Sequence, residues 1–312
     1  MPNTKIKVVG VGGAGGNAIL RMATCQIQGV ELIAINCDAQ DLQKIRSAQK
    51  LRIGRNLTKG LGAGMNPEVG RLAAEEQKEE ITQILKEADM VFITCGLGGG
   101  TGTGASPVVA EIAKNLGALV VAVVTTPFSF EGAYRVQVAN QGLEAISSKV
   151  DTLLTISNDK ILSPGDKAST LLSAFWAGDE VLRQAVQGIT DLIMLPGIIN
   201  VDFADVKAIL KNAGPAFFGQ GRAKGEQRAE TAVKLALNSS LLDFSTKGAK
   251  GILFNISGGD DLRLTEIDEI AKLITQNSDP RAKVIFGAVH DKELSKEEIK
   301  ITVIATGFEN KK

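Results

Sequence analysis

The chain has 312 residues, 44% of them apolar, which is material for about two domains with real cores. Its 35 basic and 35 acidic side chains cancel, so electrostatics make no case for a nucleic-acid partner. The longest apolar run, residues 118–124, is far short of the ~20 residues of a membrane-spanning helix, so direct membrane insertion is not expected. Met1 to Lys5 lead straight into the first strand pattern, so no secretory leader is expected either. Short β-branched apolar runs at 6–10, 31–36, 51–53, 90–95, 119–125 and 152–156 read as buried strands. Helical patterns at 16–23, 67–86, 103–116 and 134–148 alternate with them. That alternation predicts an α/β fold: an open parallel sheet with helices on both faces and its ligand at the strand C-terminal ends. A long helix, 169–195, then stops at Pro196-Gly197. Helices at 202–211, 226–238 and 264–276 follow, interleaved with strands at 251–257, 284–289 and 299–305. The expected organisation is a first domain 1–168, a central helix 169–195, a smaller α/β domain 196–308 and a tail 309–312. Cys25, Cys37 and Cys95 lack metal-ligand spacing and read as reduced packing residues of a cytosolic protein, with no metal site on the protein. His290, the single histidine, reads as a strand-end residue and argues against a histidine-based catalytic centre.

Two glycine tracts carry the chemistry. In the first, Gly10, Gly12 and Gly15 satisfy G-x-G-x-x-G, which alone is a weak pointer to a dinucleotide. That fingerprint wants an acid at the end of the next strand for the ribose hydroxyls; here the strand ends Ala34-Ile35-Asn36, with Asp38 two positions late. A nicotinamide oxidoreductase therefore remains a minor alternative. The second tract, Gly98-Gly99-Gly100-Thr101-Gly102-Thr103-Gly104, lies between a strand and a helix. Pro107 is expected in that helix's first turn, and Gly117 is expected to stop it. Five glycines in seven positions uncover backbone N–H groups beside a helix N-terminus, and the Thr101 and Thr103 hydroxyls can add to them. The tract reads as a phosphate cradle, in which a side chain at Gly102 is expected to fill phosphate space. Neither tract continues into Gly-Lys-Ser/Thr, which excludes a Walker A loop. Two glycine loops suit a nucleoside triphosphate, with Mg²⁺ held mainly by phosphates and water.

Residues 98–104 match the signature of the tubulin/FtsZ family, and the chain resembles that family from Ile6 to Phe308. Supporting matches are Asn36-Cys37-Asp38-Ala39-Gln40, Gly60-Leu61-Gly62-Ala63-Gly64, Phe130-Glu131-Gly132, Asn158-Asp159, Val186-Gln187-Gly188-Ile189 and Asn200-Val201-Asp202-Phe203-Ala204-Asp205. The resemblance implies a tubulin/FtsZ-like fold: a Rossmann-like parallel-sheet GTP-binding domain joined by a long central helix to a smaller α/β domain. It implies a GTPase that binds GTP and GDP and polymerises head to tail into the protofilaments of the bacterial cytokinetic ring. The expected location is the cytoplasm, at the division site. Membrane-anchor and division-regulator proteins are expected partners, through a tail missing here, and truncation of a longer protein is the expected reason. In this reading Gly12, Gly13, Gly98, Gly99, Gly100, Thr101, Gly102 and Thr103 hold the nucleotide, chiefly its phosphates. Ala63 and Gly64 sense the γ-phosphate.

Physical chemistry bears on the remaining implied roles. Glu131 can accept both ribose hydroxyls, and Arg135, one helical turn on, can reach phosphate or ribose; in isolation the two read more often as a surface ion pair, a preference that their position at the sheet's C-terminal edge reverses. Asn158, after the last strand of the first domain, can read base or ribose, or simply form a turn. Phe175 and Asp179 share a helical face, so the ring can stack on a purine while the carboxylate accepts from guanine N1–H and the 2-amino group. The alternative is a core Phe with an exposed Asp. Asn200, Asp202 and Asp205 open a helix; acids there usually cap it, whereas the resemblance makes them the groups that polarise the attacking water. From Asp179 to Leu195 is about 24 Å of helix at 1.5 Å per residue, so these carboxylates are expected to act on a neighbouring subunit's GTP. A non-hydrolysing guanine-nucleotide scaffold is the second alternative.

Overall fold

Strands β1 (Ile6–Val11), β2 (Val30–Asn36), β4 (Met90–Gly96), β5 (Leu119–Thr126) and β6 (Thr152–Ser157) form where the sequence runs apolar without alternation, with the short β3 (Gln49–Arg52) beside them. Every residue of β1 is buried, as a parallel strand covered on both faces requires. The computed structural model describes residues 4–25, 27, 29–46, 48–161, 170–195, 197–237, 248–291 and 294–308. The expected helix stop at Pro196, the boundary at 168/169 and the tail 309–312 lie outside the described residues. The chain divides into two units, Met1–Gln187 and Gly188–Lys312.

In the first unit the strands run parallel in the order β3-β2-β1-β4-β5-β6. The chain winds outward from β1 to β3, then returns to the other side of β1 for β4, which makes β1/β4 the switch point. Register brings the strand ends level: Val11 lies opposite Ile35 and Cys95, and Gly96 opposite Thr125. The covering helices are α1 (Gly12–Thr24), α2 (Ala39–Lys44), α3 (Pro67–Glu76), α4 (Lys78–Leu85), α5 (Gly100–Asn115), α6 (Ala133–Ser147) and α7 (Asn158–Ile161). α8 (Leu171–Met194) begins in this unit and ends in the next.

Several helix expectations are corrected. The helix expected over 67–86 is two, broken at Gln77, whose buried side chain accepts a hydrogen bond from the Gly54 N–H. α1 and α5 begin inside the glycine tracts, at Gly12 and Gly100, earlier than local propensity suggests. Pro107 therefore sits inside α5, where the Thr103 carbonyl loses its usual donor; a cost of about 3 kcal/mol is offset by a helix buried along most of its length. Gly117, at φ 89°, ends α5 as expected. Cys25 is exposed at the C-terminus of α1 rather than packed, whereas Cys37 and Cys95 are buried.

The second unit holds β7 (Gly214–Lys224), β8 (Gly251–Gly258), β9 (Lys283–His290) and β10 (Glu298–Thr306) in the order β7-β10-β8-β9. β10 is antiparallel to both neighbours, and β8 and β9 are parallel. Its helices are α9 (Phe203–Leu210), α10 (Arg228–Leu237) and α11 (Leu264–Thr275). The sequence reading missed β7, whose Gly214, Pro215, Gly219 and Gly221 resemble a loop. Those at 219 and 221 are required by packing: a Cβ there would collide with the carbonyls of Ala236 and Ala232 on α10.

Candidate nucleotide site

The level strand ends of the first unit surround a cavity of about 350 Å³, a size suited to a small-molecule ligand. Its floor is the pair of glycine tracts. Neither α1 nor α5 has a side chain capping its N-terminal N–H groups, and neither carries an acid in its first turn. By contrast, Asp38 accepts from the Gln40 and Asp41 N–H groups at α2, and Asn66 accepts from Glu68 N–H at α3. Two helices thus present open amides and positive dipole ends to one space, the arrangement that binds an anion. The tracts touch backbone to backbone: Gly12 has φ 74°, and a Cβ on it would lie 2.9 Å from Gly102 N.

Gly13, Gly99, Gly100, Thr101 and Gly102 line the cavity, as do Ala63 and Gly64. Gly12, Gly98 and Thr103 do not. Thr103 is buried and its hydroxyl oxygen accepts from Gly98 N–H at 2.9 Å, so it closes the tract upon itself. Gly102 corrects an expectation. A Cβ there would meet the Gly96 carbonyl oxygen at 2.7 Å, so a side chain would strike the sheet and not phosphate space. Gly99 is the open position, extended at φ −96°, with nothing within 4 Å of an added Cβ.

On the wall, Glu131 Oε2 pairs with Arg135 Nη1 at 2.8 Å, and Glu131 Oε1 accepts from Phe128 N–H at 2.9 Å. Arg135 Nε and Asn158 Oδ1 are buried with no partner among the described residues, and both residues line the cavity. Buried polar atoms are normally satisfied, so these two orphans fit a polar ligand.

Phe175 and Asp179 of α8 close the site. Phe128 meets Phe175 edge-on at 5.3 Å. Asp179 is mostly buried, and burial pushes its carboxyl up to about 6 against the pull of Arg21, whose Nε lies 3.5 Å from Oδ2. Sequence reasoning missed Arg21. It also left Asn36, Asp38 and Asp41, all cavity-lining, out of the site, although the Asn36–Gln40 match was a usable signal. Among the described residues no cluster of three or more His, Cys, Asp or Glu could hold a metal ion.

The remaining expected residues belong to the second unit. Asn200 Oδ1 accepts from Gly197 N–H at 2.7 Å. Asp202 is the N-cap residue of α9 but makes no side-chain capping bond, and it is exposed; Asp205 lies in the first turn. Capping therefore does not account for the Asp202 carboxylate.

Comparison with known proteins agrees with this geometry. Residues 5–165 match the GTPase domain of the Tubulin/FtsZ family, and residues 214–309 match the C-terminal domain of the FtsZ family. A solved structure of an FtsZ dimer from M. jannaschii is 48% identical; the match covers 97% of this chain and 88% of that one, with a TM-score of 0.92. A GTPγS-bound CetZ2 protofilament from Haloferax volcanii shares the fold at 24% identity, covering 98% and 94% with a TM-score of 0.83. GDP-bound CetZ1 from the same organism matches at 23% identity, 98% and 95% coverage and a TM-score of 0.84. Among the described residues no helix is long and apolar enough to cross a membrane. With its paired open helix ends and both family domains in sequence order, the chain belongs to the tubulin/FtsZ family of GTPases.

Proposed function

We propose that this GTPase assembles head to tail and that assembly switches on hydrolysis, because the acids of one subunit complete the site of the next. The observation that carries the reading is the separation of parts. The first unit holds open amides, buried polar atoms without partners among the described residues and a cavity lined by Phe175 and Asp179, whereas Asp202 and Asp205 sit at the start of α9 in the second unit. The 24-residue α8 carries Asp179 in its first half and leads away from it; its rise from Asp179 to Met194 is about 22 Å. A head-to-tail contact that does not close gives an open filament. The M. jannaschii dimer and the CetZ2 protofilament support self-association of this kind.

In this reading the α1 and α5 N-termini bind the phosphates, and Ala63 and Gly64 sense the γ-phosphate. Glu131 meets the ribose hydroxyls, and Arg135 and Asn158 find their missing partners on the nucleotide. Mg²⁺ rides on the phosphates and water. Phe175 stacks on the base, and Asp179 accepts from guanine N1–H and the 2-amino group. Adenine leaves that carboxylate facing a lone pair, a mismatch of roughly 1–3 kcal/mol. Asp202 and Asp205, oriented with Asn200, polarise the water that attacks the neighbour's γ-phosphate. Residues 1–168 are the nucleotide domain, 169–195 the central helix and 196–308 the activating domain. The polymer forms the division ring in the cytoplasm, with anchors and regulators recruited through a C-terminal tail. The oxidoreductase alternative leaves the second glycine tract unused and is not favoured.

Light scattering should rise with GTP and Mg²⁺ and stay flat with ATP. The trans geometry is tested by mixing Asp205→Ala, whose cradle is intact, with Gly99→Val, whose acids are intact but whose cavity is blocked. Each alone should be nearly inactive, and the mixture should regain turnover. Co-assembly without any hydrolysis would overturn the shared site. Polymers of the native protein that never release phosphate would make the chain a non-hydrolysing scaffold.

A further inference from the structure

We propose that Arg21 is a positioning residue for guanine selection: it holds Asp179 as the carboxylate that meets the base, and Trp176 holds Arg21 in place. The proposal rests on Asp179 being the base reader. Arg21 lies in the last turn of α1, a helix end whose partial negative charge suits a cation. Its Nε is 3.5 Å from Asp179 Oδ2, the nearest approach of the two groups, and Asp179 itself lines the cavity. Its Cζ sits 5.0 Å from the centroid of the Trp176 ring, within cation–π range. Trp176 and Asp179 are three apart on α8, so one helical face brackets the guanidinium with a ring and a carboxylate. Trp176 is 55% exposed; core packing does not explain it, and holding Arg21 does.

Charge decides what this contact is for. On α1, Arg21 is the cation that faces Asp179. On α8 itself, the neighbouring Glu180 turns to Arg183. Across the cavity, Asp38 and Asp41 line the α2 side, and Glu131 and Arg135 form their own ion pair. Burial already pushes the Asp179 carboxyl up to about 6 with Arg21 in place. Without Arg21 it rises further, toward neutral pH, where a protonated carboxyl cannot accept from both guanine donors. Arg21 thus supports guanine choice through Asp179, without a role in the chemical step.

The test is equilibrium binding of GDP and IDP to the full chain at several pH values between about 5.5 and 8.5. IDP lacks the 2-amino group, and the diphosphates keep the protein from turning over. In the native protein GDP affinity should be level above neutrality and fall below about pH 6, approaching tenfold per pH unit. Arg21→Gln should move that fall upward by about one pH unit. Its GDP affinity is then several-fold weaker at pH 6.5 yet recovers to the native value at pH 8.5, and the preference for GDP over IDP follows the same curve. Arg21→Lys, which keeps the charge, should stay near native, and an added Asp179→Asn should flatten the pH profile. Recovery in base is the signature that a merely structural role cannot give. An Arg21→Gln profile parallel to native, whether unchanged or uniformly weakened, overturns the proposal. If Asp179→Asn keeps full preference for GDP over ADP, the base-reading role of Asp179 falls first, and the two failures are told apart. Should Arg21→Gln not fold by circular dichroism, Trp176→Leu at its exposed site gives the same test: a smaller upward shift is expected, and no shift overturns the proposal.

Discussion

Each unit contains an arginine set against carboxylates, and the two sites behave in opposite ways. In the second unit Arg228, 5% exposed at its side chain, spends its whole fork: Nε and Nη2 meet Glu266 at 2.6 and 2.8 Å, and Nη1 meets Asp261 at 2.6 Å. Both carboxyls are held below their ordinary values, chiefly by hydrogen bonds from Arg228. In the first unit Arg21 comes no nearer to Asp179 than 3.5 Å, and there burial wins and the carboxyl goes up. A buried charge pair stabilises when every donor meets an acceptor, and it costs stability when the geometry leaves a carboxylate half-served. The first arrangement ties α10 to α11. The second leaves an acceptor facing a ligand cavity.

The contrast breaks most sharply at Arg228. Arg228→Ala should cost about 2–3 kcal/mol, because the half-buried Glu266 keeps only the Arg263 N–H as a donor, read as a lowered urea midpoint. The contribution is fully present above the ordinary values of 3.8 for Asp261 and 4.5 for Glu266. It is lost as pH falls through their lowered folded values, so the gap to native should narrow in acid. A loss under about 1 kcal/mol would show that the clamp is ornamental.

Asp179→Asn should go the other way. A carboxyl raised from 3.8 to about 6 destabilises the folded chain fully above the raised value and not at all below the ordinary one. Removing the charge should therefore stabilise the nucleotide-free protein by about 2–3 kcal/mol at pH 7.5, shown as a higher Tm that converges with native near pH 4. Guanine preference should be lost in the same variant, read as equal binding of GDP and ADP. A lower Tm at pH 7.5 would mean that the Arg21 contact outweighs burial.

The smallest stability effect belongs to a carboxylate with neither burial nor a capping bond. Asp202→Ala should change stability by less than about 0.5 kcal/mol, against about 1 for a true N-cap, while GTP turnover by assembled protein collapses. A loss near the capping value with turnover intact would return Asp202 to an ordinary structural role.

The sequence by itself determined the sheet of the first unit, because parallel strands buried on both faces must be apolar at nearly every position. β1, β4 and β5 are legible for that reason. It also marked the two glycine tracts as a candidate phosphate cradle, since residues without side chains at strand ends have few other uses. Where helices begin was decided by tertiary structure. Glycine has poor helix propensity, so Gly12 and Gly100 look like loop; packing demands them, because a Cβ at Gly12 would strike Gly102 of α5 and one at Gly100 would strike Ala63. β7 was hidden for the same reason, its glycines being demanded by α10 across the sheet. Arg21 was beyond any local pattern. Its partners Trp176 and Asp179 stand on α8, far along the chain, and no periodicity pairs two helices that only the folded sheet brings together.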